Sequence, residues 1–150
     1  MVEPDGHPCP CGNRGCLEQY ASASAIVRLA KMGIQAGGRT ILSGLDEAAL
    51  DGAAVAKAAR EGDSLARYCF ATAGRYLGIA AASAVNLLNL DAIIICGGIA
   101  ASFDLMEADI RRELHERAFA VPASHVKLLQ GALGDDAALL GAAAAWELLS

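Results

Sequence analysis

Three of the five cysteines fall within eight residues, in the stretch Cys9-Pro-Cys11-Gly-Asn-Arg-Gly-Cys16. Thiolates that close, joined by turns that Gly12 and Gly15 permit, can occupy three corners of a zinc tetrahedron at about 2.3 Å each. A closed site needs a fourth ligand. His7, two residues before Cys9, is available in principle, although a lone histidine in such a loop reads first as an exposed residue. An odd cysteine count with this clustering favours thiolate metal ligation over a disulfide framework. The other two cysteines, Cys69 and Cys96, have apolar neighbours and read as small core residues. Glu18 follows the last clustered cysteine by two residues, and by itself would be a surface carboxylate favoured by the helix dipole. Gly97-Gly98 closes an apolar run, where missing Cβ atoms let a ligand approach the backbone, though most such pairs simply mark turns.

These residues need elements to place them. Residues 1 to 16 carry Pro4, Pro8 and Pro10 beside Gly6, Gly12 and Gly15, so the segment is a loop that something else must hold. From Leu17 the apolar spacing becomes helical and lasts to about Gly33, with Gly37-Gly38 closing the segment. In residues 39 to 62, Asp46 is a plausible N-cap and Ala53 to Arg60 a short helix ended by Gly62. Asp63 or Ser64 caps a long helix that keeps a 3.6-residue stripe as far as Leu88. Ala92 to Cys96 has no polar alternation and predicts a central strand covered on both faces. A helix from about Phe103 to Ala118, a strand at Val126 to Leu129 and a last helix from Asp135 or Asp136 to Leu149 complete the order. Strand, helix, strand, helix builds parallel α/β sheets, but two strands seldom make a stable sheet alone.

Composition narrows the function. The chain has 150 residues, 55% of them hydrophobic, enough for one globular domain. Its net charge of -5 and lack of a Lys/Arg cluster argue against nucleic-acid binding through this segment. The apolar region from Leu77 to Ala101 is broken by Asn86, Asn89 and Asp91 and does not read as a membrane span. With no basic-then-apolar leader, a cytoplasmic location is expected.

The stretch GHPCPCGNRGCLEQYAS resembles the C-x-C-G-x-x-G-C-x-E signature of the ROK (repressor, ORF, kinase) family, here Cys9, Cys11, Gly12, Gly15, Cys16 and Glu18. The spelling LEQYAS is most similar to glucokinase-like members. Residues 91–100, DAIIICGGIA, look like that family's adenosine-side glycine motif, and 133–146, LGDDAALLGAAAAW, like its C-terminal helix. The resemblance implies the C-terminal portion of an actin-like ATPase (ribonuclease H-like) α/β fold on a short, incomplete sheet. The N-terminal domain and the start of the C-terminal domain would lie outside these residues. It further implies structural zinc on Cys9, Cys11 and Cys16, sugar contact by Glu18, and adenosine contact at Gly97 and Gly98. ATP and Mg²⁺ would serve the complete protein, a homo-oligomer.

The family's histidine ligand lies about ten residues before the first cysteine, ahead of Met1, and its catalytic aspartate and phosphate-holding turn have no counterpart here. No catalytic base is therefore assigned, and the isolated chain is expected to be inactive. A sugar-sensing domain of a ROK repressor shares the same loop and is the second reading, with an inactive truncated member the third.

Overall fold

The computed structural model describes residues 1–149. Residues 1 to 16 have no helix, and a backbone bridge between Pro8 and Arg14 folds them into a small hairpin. Helix α1 (Glu18–Ala21) leaves the hairpin, and α2 (Ala23–Gln35) follows it at once. The single helix expected from Leu17 is thus two. Ser22 is extended, and its hydroxyl accepts from the Ala25 amide, a local cap that restarts the helix in a new direction.

Asp46 does not cap a helix. After a short 3₁₀ turn (Ile41–Gly44), Asp51 does so instead, its carboxylate accepting from Ala54 N at 2.8 Å at the head of α3 (Gly52–Arg60). Asp63 caps α4 (Ser64–Leu88) through Ala66 N, and Asn89, left-handed at φ 49°, ends it.

Strand β1 (Ala92–Ile95) leads through a 3₁₀ segment (Gly98–Leu105) into α5 (Glu107–Arg117), which begins later than the sequence pattern suggests. An unforeseen short helix α6 (Ala120–His125), with Pro122 in its first turn, precedes β2 (Lys127–Gln130), and α7 (Ala137–Leu149) closes the chain. The strands pair in parallel, Ala92 opposite Lys127 and Ile95 opposite Gln130.

The core lies between α2, α3, α4, α5 and one face of this sheet. Phe70 and Cys69 of α4, Val55 of α3, Ile26 of α2, and Met106 and Ile110 near α5 are buried there together with Ile95 and Leu128. Two glycines let α5 approach α4. A Cβ on Gly78 would lie 2.6 Å from Glu113 Cβ and 2.7 Å from Ile110 O, and one on Gly74 would lie 2.8 Å from Met106 O. Small residues thus serve here to bring backbones close, as the Ala/Ser/Gly content of α4 implies.

The expectation of a strand covered on both faces is not met. Ile93, Ile95 and Leu128 turn toward the core, whereas Ile94 on the other face is 57% exposed and its neighbour Leu129 44%. No element among the described residues packs on that face. Cys96 is exposed for the same reason, contrary to its reading as a core residue, while Cys69 is buried as expected. Helix α7 likewise leaves Leu139 and Trp146 uncovered.

Candidate functional site: a cysteine hairpin beside a two-helix corner

The hairpin is closed by its own backbone. Cys9 N donates to Asn13 O at 2.8 Å, Gly12 N to Cys9 O at 3.0 Å, and Gly15 N to His7 O at 2.8 Å. Gly15 is indispensable to it. With φ +63° and a would-be Cβ only 1.6 Å from Glu3 O, no side chain fits, and its carbonyl accepts from Val2 N at 2.7 Å.

This scaffold turns three sulfurs toward one point. The Sγ atoms of Cys9, Cys11 and Cys16 all lie within 4.8 Å of one another, and Cys11 and Cys16 are 3.6 Å apart. Cys9 is buried, Cys16 partly so and Cys11 exposed. The set suits a thiophilic divalent ion such as zinc, since converging thiolates repel one another and a cation removes that cost. The Asn13 backbone, then the neighbouring thiols of Cys9 and Cys16, lower the Cys11 pKa, while hydrogen bonding to Cys11 and Cys9 pushes Cys16 up to about 11.

His7 does not join the cluster. It is exposed, its amide donates to Tyr20 Oη at 2.9 Å, and its ring lies 5.5 Å from the Tyr20 ring. Among the described residues the cluster has three candidate ligands and no fourth.

Sequence reasoning passed over the residues that join the hairpin to the helices. Tyr20 of α1 stacks on Tyr76 of α4 with ring centroids 4.2 Å apart. Tyr76 Oη donates to Glu3 at 3.2 Å, and the Arg75 guanidinium lies over the Tyr76 ring. Burial, then the Glu3 carboxylate, raise the Tyr76 pKa and keep that donor protonated. Both tyrosines occupy helical stripe positions and so read as ordinary core residues. The only sequence signal for their role is a polar tip on each, which a buried stripe would not need.

Glu18 opens α1, exposed in its first turn and two residues beyond Cys16. Gly97 and Gly98 are far along the chain, at the end of β1. Gly97 has φ 77°, a turn that ends the strand and starts the 3₁₀ segment. Beside them is a cavity of about 300 Å³ lined by Gly98, Ile99, Ser102, Phe70, Ile26 and Asp51 among others. Its wall is mostly apolar. Arg60 braces the far side of the 3₁₀ segment, with Nη2 2.8 Å from Asp104 Oδ1 and 3.1 Å from Ala101 O.

Comparison with known proteins places this geometry. The ROK family pattern matches residues 1–148, and the chain belongs to that family. A glucokinase of Halalkalibacterium halodurans is 34% identical over 94% of this chain and 43% of its own length. The Escherichia coli transcriptional dual regulator NagC is 41% identical over 66% of this chain and 24% of its own. A ROK family glucokinase from Streptomyces griseus, solved with glucose and AMPPNP, superposes with a TM-score of 0.78 at 33% identity, over 94% of this chain and 47% of that one. The chain thus spans less than half the length of these relatives. Its architecture is part of the actin-like ATPase fold of ROK sugar kinases, helices packed on a small parallel sheet. Among the described residues no helix is long and apolar enough to cross a membrane.

Proposed function

We propose that this chain supplies the metal-loop, sugar-contact and nucleotide-side parts of an ATP-dependent hexose kinase, with glucose the favoured sugar. The observation that carries the reading is the convergence of three sulfurs within 4.8 Å immediately before an exposed Glu18 at the head of α1. Cys9, Cys11 and Cys16 would hold a zinc ion whose part is structural, fixing the hairpin so that α1 starts in a set direction. A carboxylate there accepts two hydroxyl hydrogen bonds and so orients a sugar ring. The turn at Gly97-Gly98, with the apolar cavity beside it, suits the base and ribose of a nucleotide.

Phosphoryl transfer also needs a base on the acceptor hydroxyl and Mg²⁺ on the phosphates. No residue here is assigned to either, so these residues position and do not catalyse, and turnover belongs to a longer protein in which ATP, sugar and a like subunit are partners. The similarity to NagC supports a second reading, a sugar-sensing domain of a transcriptional regulator, in which the same loop and Glu18 read ligand without transferring phosphate.

Glu18→Ala in the complete protein separates structural from contact roles. The expected result is sugar affinity weakened about 100-fold with nucleotide affinity changed less than about twofold, as losing a charged hydrogen-bond pair implies. Calorimetric titration with each ligand reads both. Equal loss of the two would show that Glu18 supports the fold instead, and sugar-dependent ATP consumption divides kinase from sensor.

A further inference from the structure

The three sulfurs differ in exposure. Cys9 is buried at the base of the hairpin, its amide bonded to Asn13 O, whereas Cys11 is exposed. The Cys11 and Cys16 sulfurs touch at 3.6 Å, with Gly12 and Gly15 between them. The backbone bonds that close the hairpin use none of these sulfurs. Closing a disulfide requires the Cys11 and Cys16 sulfurs to move together to about 2.05 Å. Neither Cys69, buried in the core, nor Cys96, on the outer face of the sheet, belongs to the cluster.

We propose that Cys11 and Cys16 form an oxidisable pair, a thiol modification site at which hydrogen peroxide closes a disulfide in competition with the metal. This rests on the metal-loop reading above only for the competition, not for the pairing. The Cys11 sulfur attacks the peroxide, the O–O bond breaks, and one oxygen stays on sulfur as a sulfenic acid while the other leaves as water. The Cys16 thiol sulfur then attacks that sulfur, the S–O bond breaks, the thiol proton goes to the departing oxygen, and a second water leaves. Two thiols lose two protons and two electrons, and one hydrogen peroxide becomes two waters. The disulfide removes two of three ligands, so the metal cannot return until a reductant reopens it. Since Cys16 precedes Glu18 by two residues, the oxidised loop also pulls on the head of α1.

The test uses a Cys96→Ser background, which removes the exposed thiol of the sheet, and adds hydrogen peroxide after chelation or after loading with zinc chloride. The chelated protein should take up about one equivalent of peroxide and lose two hydrogens. Peptide mapping after alkylation should link Cys11 to Cys16 and leave Cys9 free. Zinc capacity should fall roughly tenfold or more and recover with dithiothreitol, and preloaded zinc should slow the reaction by a similar factor. Cys16→Ser should trap Cys11 as a sulfenic acid that dimedone captures, and Cys9→Ser should still form the link.

A sulfinic acid on Cys11, a link through Cys9, or crosslinking between chains as the main product overturns the pairing. Normal zinc uptake without a Cys11–Cys16 link sinks the pairing and leaves the metal reading intact. The reverse, a link in a protein that never takes zinc, supports the pairing and removes the metal reading.

Discussion

The cysteine hairpin and the α4–α5 contact are ordered by opposite means. The hairpin buries little, is built on glycine turns, and takes its shape from backbone hydrogen bonds with a cation as the proposed clasp. The α4–α5 contact has two glycines as well, but there they let the two helix backbones close to a distance that no Cβ would permit. One region carries chemistry with almost no core, and the other carries core with almost no chemistry. A change in the second should alter stability throughout the molecule, whereas a change in the first should alter ligand properties with little effect on unfolding.

Ile110→Ala attacks the helical region most directly. Ile110 is fully buried among Met106, Phe70 and their neighbours, and truncation there should cost about 3 kcal/mol through lost burial and the cavity left behind. Denaturant titration reads the loss, while zinc taken up per folded molecule should stay near that of the parent. A fall in zinc uptake under folding conditions would erase the distinction between the two regions.

Glu113→Gln comes next. Glu113 is buried against α4, with Arg117 Nε at 2.7 Å and Arg112 Nη2 at 3.4 Å. Burial raises its pKa, but Arg117, Arg112 and Arg75 outweigh that and hold it below its ordinary 4.5. A depressed carboxyl stabilises the fold fully above its unfolded value and loses that contribution as pH falls through the folded one. The variant should be about 2 kcal/mol less stable at pH 7, and the gap should narrow below about pH 4. A gap independent of pH would mean that packing, not charge, holds this corner.

Tyr20→Phe tests the joint between the regions. Removing the hydroxyl leaves the His7 amide without its 2.9 Å acceptor while keeping the ring stacked on Tyr76. Stability should fall by about 1 kcal/mol, and a chelator should remove zinc from the hairpin faster. Unchanged metal release would show the hairpin to be self-sufficient.

How much of this was legible differs between the regions as well. The convergence of Cys9, Cys11 and Cys16 could be read directly, because the metal ligation proposed for them demands particular residues at particular spacing, and the long helix because its stripe persists from Ser64 to Leu88. What escaped depended on tertiary context. Ser22 breaks a helix whose apolar spacing runs straight through it, and the capping duty of Asp51 rather than Asp46 shows only once α3 is seen to start at Gly52. Cys96 and Ile94 have core-type neighbours in sequence, yet burial requires a partner surface, and within the described residues the outer face of the sheet has none. Tyr20 and Tyr76 were visible as stripe residues, but nothing in their spacing announced that their hydroxyls would meet a loop 13 and 73 residues away.

The smallest effect should come from Arg60→Ala, and it sharpens the contrast because the residue belongs to neither region. Its guanidinium grips Asp104 in a two-pronged pair and holds Ala101 O, joining the end of α3 to the 3₁₀ segment after Gly98. Asp104, with Arg60 beside it, is held below the usual carboxylate range, but both side chains are about half exposed, so water screens the pair. The stability cost should be below about 1 kcal/mol and shrink further in high salt. What the pair does fix is the carbonyl of Ala101 at the wall of the cavity beside Gly98. If that cavity takes a nucleotide, the complete protein carrying Arg60→Ala should bind ATP several-fold more weakly while sugar affinity and melting stay close to the parent. ATP affinity that tracks stability alone would assign Arg60 to the scaffold.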